Sequence, residues 1–249
     1  MNRYLLIAAC LSAAFAGWSN AQTPSGKDIL PPGPWVVTQM PDSAQWTIDY
    51  TYADTRKHRK ALVKLAGDAR PTHVTIVKTG AIRHEIREME RGLKSEFWAM
   101  GDMMVERRSN APKLFAYTSG PKDSEFPEFG WISQTNFTGR KIVDGSDCLV
   151  FQQQIDPLQI TYPATYAAQQ KDYQRDATEV KSDTPTVLAI ALVDAKTRLP
   201  VSLQAGPELR RYAFLPPPAA MLSVPDEFAA AAKEAKARVD AATKPLSAP

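Results

Sequence analysis

Three histidines stand in the whole chain, and two of them, His73 and His84, fall in neighbouring segments of strand-like alternation. Across a hairpin they would lie diagonally on one face, roughly 7–8 Å apart, with Glu88 further along the same face. That is the start of a metal site or of a hydrolytic centre, and it stops short of either. Zinc takes a third or fourth ligand. His84-Glu85-Ile86-Arg87-Glu88 has no second histidine to complete an HExxH helix. The plainer reading is two sheet histidines among threonine and isoleucine. Glu85 with Glu96, or Asp144 with Asp147, would be candidate acid/base pairs. However, Asp144-Gly145 reads as a turn, and Glu96 would face Arg87 across strands, so surface charge accounts for both. No G-x-S-x-G elbow and no glycine-rich strand-to-helix loop occurs. Asn136-Phe137-Thr138 is a formal glycosylation sequon. No residue is therefore assigned a catalytic role, and neither a metal nor a cofactor is expected.

Binding chemistry is better supplied. Trp46, Tyr50, Tyr52, Phe97, Trp98, Met100, Met103 and Met104 concentrate in one region. Aromatic and methionine side chains fill ordinary cores, and they also line adaptable apolar cavities.

The N-terminus says where such a cavity would work. Arg3 precedes an uncharged apolar run from Tyr4 to Gly17, and Ser19-Asn20-Ala21 has the small-x-small pattern of a signal-peptidase site. The run is shorter than the roughly 20 residues of a membrane span. Ile7-Ala8-Ala9-Cys10 resembles a lipobox. Too few apolar residues separate Arg3 from that cysteine, against the roughly 7–15 of an h-region. Residues 1–21 are thus expected to be a signal peptide cut near Ala21, leaving a periplasmic or secreted chain with no transmembrane segment.

About 228 of the 249 residues would remain, enough for one large domain. Charge is nearly balanced, with 30 basic and 27 acidic residues in the full chain and no basic face, which argues against nucleic acid as a partner. Cleavage would leave Cys148 alone, so no intramolecular disulfide can form; a buried inert thiol and a monomer are expected.

The elements that must position these groups read as an antiparallel meander. Residues 22–44 are a Pro/Gly/Ser-rich lead-in, with Trp35–Met40 a short strand or docking segment. From Gln45, apolar Trp46, Ile48, Tyr50 and Tyr52 alternate with polar residues, the period of a strand with one buried face. Thr55–Lys64 is strongly basic. A two-residue turn at Thr79-Gly80 would join His73–Lys78 to Ala81–Met89, setting His73, Thr75 and Val77 beside Ile82, His84 and Ile86. A second two-residue turn at Arg91-Gly92 would pair Ile86 with Phe97 and His84 with Ala99. A three-residue loop would instead bring Glu85 and Arg87 beside Leu93 and Phe97. The two-residue turn is preferred, because a slip of one residue moves every side chain to the other face.

Gly101-Asp102 turns into Met103–Arg108, and Trp98, Met100, Met103 and Val105 make the second face apolar too, so it must be covered. Lys113–Thr118 is a further strand and Gly120–Gly130 a loop. Thr138–Val143, Asp144-Gly145 and Cys148–Ile155 form a hairpin. Asp156–Pro185 is long and polar, with Tyr166–Val180 able to form a helix. Thr186–Val193, Leu199–Gln204 and Leu209–Phe214 complete the sheet. With Asp226 as N-cap, an alanine-rich helix runs to Ala242; with only Phe228 and Val239 as larger apolar residues it would dock weakly or hang free. The domain plan is thus 1–21 signal, 22–44 lead-in, 45–225 one β-rich domain and 226–249 helix and tail.

The segment Asp194-Ala195-Lys196-Thr197-Arg198-Leu199-Pro200 resembles a turn near the end of proteins in the outer-membrane lipoprotein carrier superfamily. Gly139-Arg140-Lys141-Ile142-Val143-Asp144-Gly145 followed by Cys148-Leu149-Val150-Phe151, the alternating aromatic first strand and the signal peptide are similar too. The likeness spans Trp46 to Phe214. It implies a mainly β (α+β) fold, in which a strongly curved antiparallel half-barrel is covered by a few helices over an apolar concave side that receives acyl chains. The Asp156–Pro185 insertion, the alanine-rich tail and the missing lipobox depart from that pattern.

The expectation is an exported, non-catalytic carrier or binding protein for a lipid-like or lipoprotein ligand, held by Trp46, Ile48, Tyr50, Ile82, Ile86, Phe97 and Ala99. The alternative is an envelope protein-interaction or sensory module using the Gly120–Gly130 and Asp156–Pro185 loops. A hydrolase around His73, His84 and Glu88 is the third reading.

Overall fold

The computed structural model describes residues 29–53, 70–111, 113–118, 124–161 and 186–242. The expected signal peptide, the basic Thr55–Lys64 segment and the Tyr166–Val180 helix lie outside these residues.

Among the described residues, eleven strands form one open, antiparallel sheet. They are β1 Ser43–Tyr52, β2 Pro71–Thr79, β3 Ile82–Met89, β4 Lys94–Met100, β5 Met103–Arg108, β6 Phe115–Thr118, β7 Phe137–Val143, β8 Ser146–Ile155, β9 Val187–Asp194, β10 Pro200–Ala205 and β11 Glu208–Leu215. The spatial order is β6-β5-β4-β3-β2-β1-β11-β10-β9-β8-β7. The first six strands step outward from β1 to one edge. The last five begin at the far edge and step back until β11 pairs with β1, Trp46 facing Phe214 and Ile48 facing Tyr212. The mainly β expectation therefore holds, and the central seam joins the first strand to the last. Two α-helices accompany the sheet among the described residues, short α1, Leu158–Thr161, and α2, Asp226–Ala242, with three single-turn 3-10 helices in the connections.

Turn chemistry decides which side chains share a face. Asp144 and Gly145 both take positive φ (49° and 82°), as a tight Asp-Gly hairpin turn requires. Between β2 and β3 the turn is Gly80-Ala81 rather than Thr79-Gly80, since Thr79 pairs with Ile82. Each facing pair moves by two positions, so the faces are unchanged.

Between β3 and β4 the two-residue turn is wrong. Met89 N–H donates to Leu93 O at 2.8 Å, enclosing Glu90-Arg91-Gly92 as a three-residue loop. Arg91 and Gly92 sit at φ 65° and 74°. A left-handed arginine costs on the order of 1–2 kcal/mol, and the long-range pairing that it permits outweighs that local preference. Ile86 thus faces Glu96, His84 faces Trp98, and Glu85 faces Phe97. Ile82 and Ile86 consequently lie on the opposite face from Phe97 and Ala99.

Each face has its own core. On the first, Ala44, Trp46 and Ile48 of β1 join Val74, Ile76, Leu149, Phe151, Ala191, Val193 and Leu203. Two irregular strips cover this face. Leu30, Trp35, Val36, Val37 and Met40 belong to one, and Phe126, Phe129, Trp131 and Ile132 to the other. On the second face, Trp98, Met103 and Val105 meet Phe228, Ala232 and Ala235 of α2. The helix therefore docks. Its i, i+4, i+7 stripe places one aromatic ring on Trp98 (centroids 6.0 Å apart), and its alanines allow close approach. Its first turn carries Asp226 and Glu227, while the Pro225 carbonyl accepts the first helical N–H groups. Asp226 is thus a first-turn acid, favourable to the helix dipole, and not the N-cap.

Candidate ligand-binding site

The expected chemistry at the histidines dissolves into pairwise contacts. His73 faces Glu88, and His84 lies four residues along β3 from Glu88, so the two rings are separated by roughly 13 Å of strand. His73 Nδ1 meets Asp49 Oδ1 at 2.6 Å. His84 stacks on Trp98 with centroids 4.1 Å apart, and its Nε2 meets Glu96 Oε1 at 3.1 Å. Glu96 is bonded by Arg107, not Arg87, through Nε and Nη2 at 3.2 and 2.7 Å. Burial opposes the Glu96 charge, but the hydrogen bonds from Arg107, Trp98 and His84 hold its carboxyl below the usual range. Glu85 is on the other face of the sheet, so Glu85 and Glu96 cannot act as a dyad. Among the described residues no three His, Cys, Asp or Glu side chains converge as a metal-ligand set. Cys148 is fully buried in β8, and burial, aided by Asp194, Asp147 and Asp144, pushes its thiol up to about 11. It stays protonated and is a poor nucleophile.

The face bearing Trp46 is different. Trp46, Ile48 and Phe97 are buried there, and Tyr50 and Ala99 lie on the same side. Phe126 packs on Trp46, Tyr212 and Phe214 with centroids 5.9 to 6.2 Å apart. Between the two cover strips is a pocket of about 290 Å³, lined by Trp35, Val36, Val37, Phe126, Phe129 and Ile132 and bounded by Thr38 and Ser124. This volume is near the lower limit of roughly 300–1,000 Å³ usual for ligand pockets.

Besides the apolar packing of Trp35, Phe126 and Phe129 on the sheet, a few polar contacts pin the strips. Val37 N–H donates to Arg198 O at 3.1 Å. Arg198 belongs to the Asp194–Pro200 turn, whose Asp194 Oδ1 accepts from the Lys196 and Thr197 N–H groups and from the Thr197 hydroxyl. The Thr197 N–H bond is the main cause holding the Asp194 carboxyl below its usual range. The two strips meet where Glu125 N–H donates to Thr38 O at 2.7 Å. Lys78 Nζ bonds Met40 O of one strip at 3.2 Å and Glu125 Oε1 of the other at 3.0 Å. Glu125 Oε2 also takes Arg83 Nη1 at 2.6 Å; Arg83 Nη2 bonds Glu85, which pairs in turn with Arg87. The result is an alternating ladder, Lys78, Glu125, Arg83, Glu85, Arg87, which reaches the pocket through Glu125, between the lining residues Ser124 and Phe126, while no ladder residue lines the pocket itself.

A second anchor lies deeper. Tyr212 donates its hydroxyl to Glu128 Oε1 at 2.7 Å, and both are buried. Burial, then the Glu128 charge, keeps Tyr212 well above its ordinary range. Burial likewise pushes Tyr50 up to about 12. Burial opposes the charge of nearby Arg210, but Glu208 at 2.6 Å and the surrounding oxygens outweigh it. Both tyrosines are therefore neutral near neutral pH.

Of the seven sequence-expected ligand residues, five lie on the Trp46 side of the sheet and Ile82 and Ile86 on the other; none of the seven lines the pocket. The strips' Trp35, Phe126 and Phe129, and the charges of Lys78, Arg83 and Glu125, were not expected there. The Arg83-Glu85-Arg87 alternation was a usable signal for a charged row on one face. Glu125 and Glu128 come from an irregular loop and gave none. No family model matches the chain, and a search of curated proteins returns no match to it.

Proposed function

We propose that the protein is a non-catalytic carrier or binding protein of the cell envelope whose ligand is lipid-like, a free amphiphile or the acyl chain of a lipoprotein. One observation carries the reading: an apolar pocket lies between two irregular strips that cover the Trp46 face and carry little regular secondary structure of their own. Parting the strips exposes Trp46, Tyr212 and Phe214 without breaking a strand pairing. Each methylene received contributes about 0.8 kcal/mol, so a partly engaged chain already binds usefully.

The lipoprotein-carrier resemblance supports this reading, as does the open sheet of eleven strands. Antiparallel sheets of this size twist and tend to curl, and we read this one as a half-barrel with the Trp46 face inside. The apolar N-terminal run supports export.

Native mass spectrometry of the protein purified from an envelope extract, with titration of a fluorescent fatty-acid analogue, tests the proposal. A co-purifying lipid and saturable probe binding are expected. An empty protein that ignores the probe would overturn it and move attention to the exposed Phe115 and Tyr117 on edge strand β6, a candidate protein-docking edge.

A further inference from the structure

The cations beside the pocket are more than latches for the cover. Lys78, Arg83 and Glu125 expose only 14, 15 and 8% of their side chains, so desolvated cations require an anion there. Of the two carboxylates in the ladder, Glu85 belongs to β3, and Glu125 is supplied by the strip that a ligand entering against Trp46 must displace. Once Phe126 leaves the Trp46 ring, Glu125, its neighbour in the chain, leaves with it. Lys78 then loses its carboxylate, and Arg83 keeps only Glu85, which it shares with Arg87, unless the ligand brings a negative group.

Two more donors wait in the same place. Arg83 stands with its guanidinium carbon 5.4 Å from the Trp46 ring centre, and both Arg83 Nε–H and Trp46 Nε1–H are buried without an acceptor. Buried donors are nearly always satisfied, so a pair left over beside a cationic cluster calls for an explanation. A head group with several acceptor oxygens supplies one.

Building on the carrier reading above, we propose that Lys78 and Arg83 are the anion-binding end of the pocket, and that Glu125 fills it as an internal stand-in for the carboxylate or phosphate head of an anionic amphiphile. The apolar chain lies between the strips, and its head replaces the Glu125 carboxylate. Specificity then comes from charge at one end and from chain length at the other.

Isothermal titration of decanoate, decyl phosphate and decanol into the wild-type and Glu125→Gln proteins separates the possibilities, with far-UV circular dichroism to confirm folding. In Glu125→Gln, both anions should gain at least tenfold in affinity relative to decanol, because the internal competitor has gone. Adding Arg83→Gln should return that ratio close to one. The preferred anion, carboxylate or phosphate, identifies the head group. In the wild-type chain the anions should already outbind decanol several-fold, a comparison that needs no substitution. Equal affinities for all three probes in both proteins, or equal gains on Glu125→Gln, would overturn the anion end while leaving the acyl pocket standing. Binding of none of the three would remove the carrier reading as well.

Discussion

The two faces of the sheet are both covered, by different means. Over β4 to β6 the cover is one regular helix: α2 lays Phe228, Ala232 and Ala235 on Trp98, Met103 and Val105. Its backbone groups are satisfied within the helix, so the interface is carried by apolar packing, with Arg107–Glu227 at its margin. Over β1 and its neighbours the cover is two irregular strips. They pack buried Phe126 and Phe129 on the core and add scattered polar contacts: Val37 to Arg198, Lys78 to Met40, Glu125 to Lys78 and Arg83, and Tyr212 to Glu128. Packing of the first kind is lost cooperatively. The strips' polar contacts can be exchanged, one hydrogen-bonded partner for another, at little net cost. That difference favours the strips over the helix as the cover of a ligand pocket.

The comparison breaks most visibly if the helix proves dispensable. Phe228 is fully buried, and truncation of such a ring costs on the order of 3–5 kcal/mol. Urea unfolding of Phe228→Ala should show that loss; a change below about 1 kcal/mol would mean that α2 does not dock on Trp98.

An intermediate effect is expected at the ladder. Glu125→Gln removes the carboxylate shared by Lys78 and Arg83 and should cost about 2 kcal/mol, less than a fully buried pair because all three groups retain some solvent contact. Hydrogen exchange sharpens the point. Amides of residues 124–132 should exchange faster in this variant while those of α2 stay unchanged; equal acceleration of both would show one cooperative cover.

The smallest effect belongs to the turn that receives the first strip. Because the folded Asp194 carboxyl is held below its usual range, its contribution is present above the unfolded value of about 3.9 and is lost as pH falls through the lower folded value. Asp194→Asn should therefore lose about 1 kcal/mol near neutral pH, and its urea midpoint should converge on the wild-type midpoint in acid. A gap that persists in acid would mean that the amide disturbs the turn by shape and not by charge.

Several elements were legible in the chain itself. Alternation in Trp46, Ile48 and Tyr50 marked β1, Asp144-Gly145 marked the β7–β8 turn, and apolar Trp98, Met100, Met103 and Val105 on a second face demanded a cover. Each depends on neighbours close in sequence. The β3–β4 register escaped because Arg91 takes a left-handed conformation that its own preferences disfavour, and one residue of error carried Ile82 and Ile86 to the wrong side. The ladder escaped for a related reason. Lys78 and Arg83 are five residues apart and easily read as surface charge, whereas Glu125 is more than 40 residues away in a loop without periodicity.

Sequence alone determined the β-rich class and the antiparallel meanders, since side-chain period and turn residues are local properties. Tertiary structure decided the pairing of β1 with β11, the docking of α2 and the meeting of Lys78, Arg83 and Glu125 beside the pocket. Those depend on which distant surfaces bury each other, and burial is what turns an ordinary lysine, arginine and glutamate into a cluster that requires charge balance.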